Sequence, residues 1–440
     1  MTDGQDRPLA AISPLDGRYQ EKVKELSEYF SEGALIKARV KVEIIYAIKL
    51  VEFLGVVKLS VIEKKRLLDW GESLKIKDLE QVKKIEAEIN HDVKAVEYFI
   101  RENLKKLGLQ KLSAWIHWGL TSEDVNNLAY GWLLTRFKNE QLLVLEKQLL
   151  DKLVVMAEKY KAVVMPARTH GQLAVPTTVG KELAVAAERA DFWLKKLQAV
   201  KLGGKLNGAV GNFNAQIELY PKKDWQKFSQ EVIESLGLET VMATTQIEPG
   251  DRLVFFLDLV RGLNNLWLNL SQDAWLYIAL DYWQQKAVAK EVGSSTMPQK
   301  VNPIDFENSE GNLEIANCLL TMMAEKLAIS RLQRDLSDST IKRNLGVAFG
   351  HTLLAIKSLL KGLDKVGPNK EKLKQELVDH PEMLAEAEQL RRKVKGDTEA
   401  YEKIKAATRG KSGWRGGGRE VEKYIGLAVE ITKQTVRRLK

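Results

Sequence analysis

Cysteine is almost missing from this chain: Cys318 is the only one in 440 residues. No intrachain disulfide can form, and a reducing cytoplasm is the expected compartment. Histidine is scarce as well, with five in all, and none pair at metal-ligand spacing. HExxH and Cys-x-x-Cys are both absent, so neither a metal nor another cofactor is expected. No uncharged apolar run is long enough to span a bilayer, and the polar start Met1 to Arg7 lacks the apolar segment of a signal peptide. Neither a membrane span nor a secretory leader is expected. The net charge of +9 is spread along the chain, without zinc-finger spacing, a ribonucleoprotein motif or a basic arm followed by heptads. Nucleic acid is therefore not an expected partner. Gly416-Gly417-Gly418 follows no strand pattern and is no dinucleotide fingerprint.

What the chain does have is helical periodicity. Leu142, Leu145, Leu149, Leu153, Met156 and Tyr160 recur at spacings of three and four, which aligns them on one stripe. After Pro249-Gly250 the positions Phe256, Val260, Leu263, Trp267, Leu270, Ala274 and Tyr277 keep that spacing. They predict a rod running up to Gly293, roughly 60 Å at ~1.5 Å per residue. Leu253, Leu257, Leu266, Leu268, Trp275 and Ile278 lie off the stripe, so more than one face needs covering, by bundle neighbours or by other subunits. The length exceeds one ordinary core, and 45% hydrophobic residues suffice to bury two or three. The expected fold is all-α with three helical domains: 1–112, with Gly55, Gly71 and Gly108 at its turns; 113–365, a bundle of long helices; and 366–440. Val366-Gly367-Pro368-Asn369 reads as helix stop and linker.

One stretch resists a packing explanation. Gly293 to Pro303 reads Gly-Ser-Ser-Thr-Met-Pro-Gln-Lys-Val-Asn-Pro, which places hydroxyls, a cation and an amide between backbone breakers. Composition alone leaves a solvated connector and a binding or catalytic loop both open. His170 stands in a similarly broken segment, ahead of Pro176, and can be a structural histidine or a group that titrates near neutral pH.

The order of residues in that loop resembles the signature of the fumarase/aspartase superfamily. Further words extend the match over roughly residues 9 to 365: Ser13-Pro14-Leu15-Asp16-Gly17-Arg18-Tyr19, Asn90-His91-Asp92, Thr121-Ser122-Glu123-Asp124-Val125-Asn126-Asn127, Arg168-Thr169-His170-Gly171-Gln172, Thr245-Gln246-Ile247-Glu248-Pro249 and Arg334-Asp335-Leu336-Ser337-Asp338-Ser339-Thr340. Together they are similar to the bacterial adenylosuccinate-cleaving branch. The resemblance implies an all-α homotetramer whose central helices form a shared core and whose active sites combine segments of several subunits. It implies a carbon–nitrogen lyase that eliminates fumarate from an anionic nucleotide, with no cofactor.

Such an elimination requires a base for the proton beside one carboxylate, an acid for the departing nitrogen, and donors for the carbanionic intermediate. The resemblance puts the base on Ser294 and the acid on His170. An unperturbed serine is a poor base, so the loop must close over substrate and surround the alkoxide with N–H groups and the Lys300 charge. The same resemblance assigns Arg18, Tyr19, Arg334, Ser339 and Arg343 to the 5′-phosphate end, where planar Arg forks suit phosphate, and counts Thr340 among the substrate-binding residues. Thr121, Ser122, Gln246, Lys300 and Asn302 go to the succinyl group, and Ser295 and Val301 of the loop are further substrate-binding residues. Asn90, His91 and Asp92 lie near ribose and base, and Asn308 behind the loop. Leu173 and Val175 stand where the family has a proline and a small polar residue, and His117, His351 and His380 match no site word. A sister lyase, such as one acting on argininosuccinate or malate, shares the loop but has no phosphate to explain Arg18-Tyr19 and Arg334 to Arg343. A non-catalytic helical scaffold has no need of Ser294, Lys300 and His170.

Overall fold

A computed structural model describes residues 9–287, 295–411, 413–414 and 419–440. The fold is all-α, with long helices at Glu32–Leu54, Ser122–Phe137, Leu143–Tyr160, Val179–Ala199, Asp251–Ala279, Ile304–Leu327 and Leu345–Lys365, and only short strands. Among the described residues no helix is long and apolar enough to cross a membrane. The chain divides into two compact units, one of Met1–Val144, Lys196–Gly262 and Ile315–Leu354, the other of Leu145–Lys195, Leu263–Glu314 and Ala355–Lys440.

In the first unit the Glu32–Leu54 helix starts where Ser31 Oγ accepts from Ala34 N–H at 3.0 Å and stops at Gly55, whose φ of 74° suits a residue without Cβ. Its apolar face packs Ile36, Val40, Ile44, Ala47 and Val51 against Leu67, Val82, Val96, Phe99 and Ile100 of the neighbouring helices, all buried. Gly71, expected at a turn, instead lies inside the helix Val61–Glu72. A Cβ there would stand 2.7 Å from Ile44 Cδ1, so the glycine serves close helix packing. Phe30, Phe137 and Phe349 knit three further segments, with ring centroids 4.8–5.4 Å apart.

In the second unit, strands β1 (Val164–Thr169) and β2 (Gln172–Thr178) form an antiparallel hairpin, paired from Val164 with Thr178 to Thr169 with Gln172. Leu173 of β2 packs against the cluster Leu377, Met383, Leu384 and Val421, which gives that departure from the family pattern an apolar seat. The long rod ends at Ala279, not near Gly293. Asp281 turns into a positive φ of 58°, and Tyr282 N–H bonds back to Tyr277 C=O at 2.8 Å. Trp283–Gln285 then pairs antiparallel with Val366–Pro368. The expected linker at 366–368 is thus a short strand, and Asn369 caps the next helix by accepting from Lys372 N–H at 3.2 Å.

Candidate active site

The start of the Ser122–Phe137 helix is built around buried charge. Asp124 and Lys205, both fully buried, pair at 2.7 Å. Asp124 Oδ2 accepts from Thr121 N–H at 2.8 Å, while Oδ1 accepts from Asn207 and Gly208 N–H at 3.1 and 3.3 Å. An ionised side chain left single here would cost several kcal/mol, about 3–5, so the pair fixes where Thr121 and Ser122 stand. Upstream, Glu43 accepts from His117 N–H at 2.9 Å and meets His117 Nδ1 at 2.6 Å. Burial lowers the His117 pKa, but Glu43 outweighs it and the net shift is upward. His117, read as structural, holds the loop that leads into Thr121.

Around this helix start the first unit gathers several of the expected residues. Arg334 donates from Nη1 to Gln246 Oε1 at 3.2 Å and from Nη2 to Glu123 Oε1 and Ser339 Oγ at 3.2 and 3.3 Å. Gln246 also donates from Nε2 to Ala209 C=O at 3.2 Å. Arg334, expected at the phosphate end with Ser339, therefore touches Gln246, expected at the succinyl end. The turn carrying Arg334 is held by Asp335, which accepts from Ser337 Oγ and N–H and from Arg331 N–H, and these bonds hold its carboxyl well below the usual carboxylate range. Thr340 is exposed beside Ser339.

A second group joins the first. Asp92 Oδ2 lies 2.7 Å from Arg39 Nη2 and 3.7 Å from Arg343 Nη2. Burial pushes the Asp92 carboxyl up, but Arg39 and the Val93 N–H prevail and its pKa falls. Arg39 Nε donates to Asn126 Oδ1 at 2.9 Å, and Asn126 Nδ2 donates to Glu123 Oε1 at 3.0 Å. One polar chain thus runs from Arg343 through Asp92, Arg39, Asn126 and Glu123 to Arg334. Lys342 flanks it, 2.8 Å from Asp338 and 3.8 Å from Glu123. Burial lowers its pKa, yet Glu123 and Asp338 raise it overall.

Asn90, with φ of 51°, ends the helix Ile76–Ile89, and exposed His91 caps the next, its Nδ1 accepting from Lys94 N–H at 3.2 Å. Arg18 is exposed over the Tyr19 ring at 5.9 Å. Ser13, Leu15 and Asp16 of the same segment share a cavity of about 350 Å³ with Arg343.

The second unit carries the remainder. His170 and Gly171 form the two-residue tip of the β1–β2 hairpin, both at positive φ (54° and 75°), as a type I′ turn requires. The His170 ring is presented to solvent. Arg168 steadies the tip, donating to Gly171 C=O at 3.1 Å, Glu376 Oε1 at 2.7 Å and Tyr282 OH at 3.2 Å, while Tyr282 OH donates to Glu376 at 2.6 Å. Burial and the Glu376 bond push the Tyr282 hydroxyl up to about 12. Ser294 lies outside the described residues. Ser295 and Lys300 are exposed, Lys300 N–H bonding Met297 C=O at 3.1 Å, and Val301 C=O accepts from Gln285 Nε2 at 3.0 Å. Asn302 precedes the Ile304–Leu327 helix, in which Asn308 donates to Ser358 Oγ at 2.8 Å and accepts from Asn312 at 2.8 Å through its side-chain oxygen.

Arg39, Glu123, Asn126 and Lys342 escaped the sequence reading as site residues. Glu123 and Asn126 stand inside the Thr121-to-Asn127 word, and Arg39 is a cation within an apolar helical run, which was the available signal.

Profiles described as Lyase and as Adenylosuccinate lyase C-terminal match residues 17–315 and 330–440. The chain is 45% identical over 411 residues to "Adenylosuccinate lyase" of Haemophilus influenzae, covering 92% of this chain and 89% of that one. It is 44% identical over 407 residues to the protein of the same name from Escherichia coli, with the same coverage. The fold matches a crystal structure of fumarate lyase from Mesorhizobium sp. BNC1 with a TM-score of 0.77 at 16% identity, over 94% of this chain and 97% of that one. The chain belongs to the adenylosuccinate lyase family of the fumarase/aspartase superfamily.

Proposed function

We propose that the protein eliminates fumarate from adenylosuccinate to give AMP, and from the succinylated aminoimidazole carboxamide ribotide to give the free aminoimidazole carboxamide ribotide, in purine biosynthesis. Ser294 takes the proton from the carbon beside one succinyl carboxylate. The resulting carbanion is held as an aci-carboxylate by Lys300, Asn302, Thr121, Ser122 and Gln246, the C–N bond breaks, and His170 protonates the departing nitrogen. A solvent-facing imidazole on a rigid two-residue turn suits that task, because the turn fixes the ring's origin while leaving it accessible.

The observation that carries this reading is the Arg334 cluster. One mostly buried guanidinium gathers an amide and a hydroxyl beside Thr121 and Ser122, and Arg343 stands at the far end of the same network. A substrate with two carboxylates and a phosphate needs such a set of cations and neutral donors. His170 and Lys300 lie in one unit and the arginine network in the other. In this reading a homotetramer, cytoplasmic and built of helical domains 1–112, 113–365 and 366–440, assembles each site from more than one subunit. An absorbance assay with adenylosuccinate, argininosuccinate and malate offered separately tests the proposal. Turnover confined to adenylosuccinate is expected, and turnover of either other substrate in its place overturns it.

A further inference from the structure

Glu123 has none of the features of a substrate ligand, yet it sits where two of the proposed binding segments meet. It follows Thr121-Ser122 directly, and its side chain is only 2% exposed. Oε1 accepts from Arg334 Nη2 at 3.2 Å and from Asn126 Nδ2 at 3.0 Å, and Oε2 lies 3.8 Å from Lys342 Nζ. Arg334 is itself mostly buried, and its Nε has no hydrogen-bond partner. Among the described residues, Glu123 is the only carboxylate paired with this guanidinium. Gln246 and Ser339 offer neutral oxygens alone.

We propose that Glu123 is the positioning residue for Arg334: it sets the plane of the guanidinium so that its fork meets the anionic substrate. The proposal rests on the adenylosuccinate reading above. A buried ion pair adds little net stability compared with an apolar replacement, so its value lies in geometry. The two acceptors on Nη2, Glu123 Oε1 and Ser339 Oγ, fix the rotation of the guanidinium, and Arg39 fixes Glu123 in turn through Asn126. A planar, five-donor cation binds an oxyanion well only when its edge is aimed, so loss of the carboxylate misaligns binding before it affects proton transfer.

The test compares Glu123→Gln, Glu123→Asp, Arg334→Ala and the double variant Glu123→Gln/Arg334→Ala in the purified full-length protein. Measurements are kcat and KM for adenylosuccinate, AMP affinity by calorimetry, and thermal melting. Glu123→Gln should raise KM and weaken AMP binding about tenfold, the size of one charge-assisted contact, with kcat changed by less than about threefold. The double variant should be no worse than Arg334→Ala. An unchanged KM in Glu123→Gln, or a fully additive penalty in the double variant, overturns the assignment, because a purely structural role lowers the melting temperature without singling out Arg334. If Glu123→Gln does not fold, Glu123→Asp, which keeps the charge one methylene back, must still raise KM, and an unchanged KM there overturns it too. A wild type that binds AMP but does not turn over adenylosuccinate defeats the activity reading, while the AMP arm still decides whether Glu123 acts through Arg334.

Discussion

Arg39 Nε and Asn126 Oδ1 meet at 2.9 Å, although 87 residues separate them in the chain. The bond joins the middle of an apolar helix to the first turns of the helix that carries Ser122. Arg39 is 2% exposed and also pairs with Asp92, so a cation placed among aliphatic side chains finds its partners in the site it supports. Burying a guanidinium is costly unless its donors are met, and here the partners are the same residues that border the expected ribose and succinyl contacts.

The hairpin tip gives a clean way to remove the proposed acid. Asn tolerates positive φ and Asn-Gly is a favoured type I′ pair, so His170→Asn should leave β1–β2 and the melting temperature unchanged. Turnover should fall about 10²- to 10⁴-fold, as for loss of a positioned acid. Ser294→Ala should fall by a similar factor. Steady-state rates on material with unaltered circular dichroism decide the matter, and a loss of less than about threefold removes either residue from the mechanism.

Subunit sharing predicts complementation. His170→Asn and Ser294→Ala proteins, each nearly inactive, should regain part of the wild-type rate after subunit exchange, because some mixed sites then draw intact residues from different chains. Exchange followed by native mass spectrometry without recovered turnover would place both residues on one subunit.

Glu146 predicts a pH effect on stability apart from the site. It is fully buried, Oε2 accepts from Trp267 Nε1 at 2.8 Å, and Oε1 has no hydrogen-bond partner. Burial raises its pKa from 4.5 to about 8. The folded protein keeps a proton that the unfolded chain loses above about pH 4.5, so this group's contribution declines as pH rises towards 8. Glu146→Gln, neutral at every pH, should melt like wild type at pH 4.5 and higher than wild type at pH 8.5. Parallel wild-type and variant melting curves across that range would refute it.

Much of this was legible in the chain. Helical stripes place the long helices, and Phe256, Val260, Leu263 and Trp267 are buried as their spacing requires. The end of that rod was not legible, because Asp281 carries no glycine or proline signal and the partner of Trp283–Gln285 lies some eighty residues on. Gly71 misled for the opposite reason: a turn residue by type, it is a packing residue by its contact with Ile44. In the site, resemblance supplied residues that bear functional groups outward. It passed over Arg39, Glu123 and Lys342, whose role depends on three-dimensional pairing that no local spacing encodes.

Phosphate binding and structural support at Arg18 and Arg343 have separable consequences. Arg343 is half exposed and only 3.7 Å from Asp92, a distance too long for a strong hydrogen bond, so most of its donors remain available. Arg18 is exposed on a segment that shares a cavity with Arg343. Arg18→Leu and Arg343→Leu should each weaken AMP binding by roughly 1.5–3 kcal/mol, on the order of ten- to a hundredfold. Adenosine, with no phosphate to lose, should bind variant and wild type equally. If the arginines instead only stabilise the assembly, both ligands weaken together and sedimentation shows a concentration-dependent loss of the oligomer. Calorimetric titration of AMP and adenosine beside sedimentation of the same samples distinguishes the two, and equal weakening of both ligands would remove Arg18 and Arg343 from the phosphate seat.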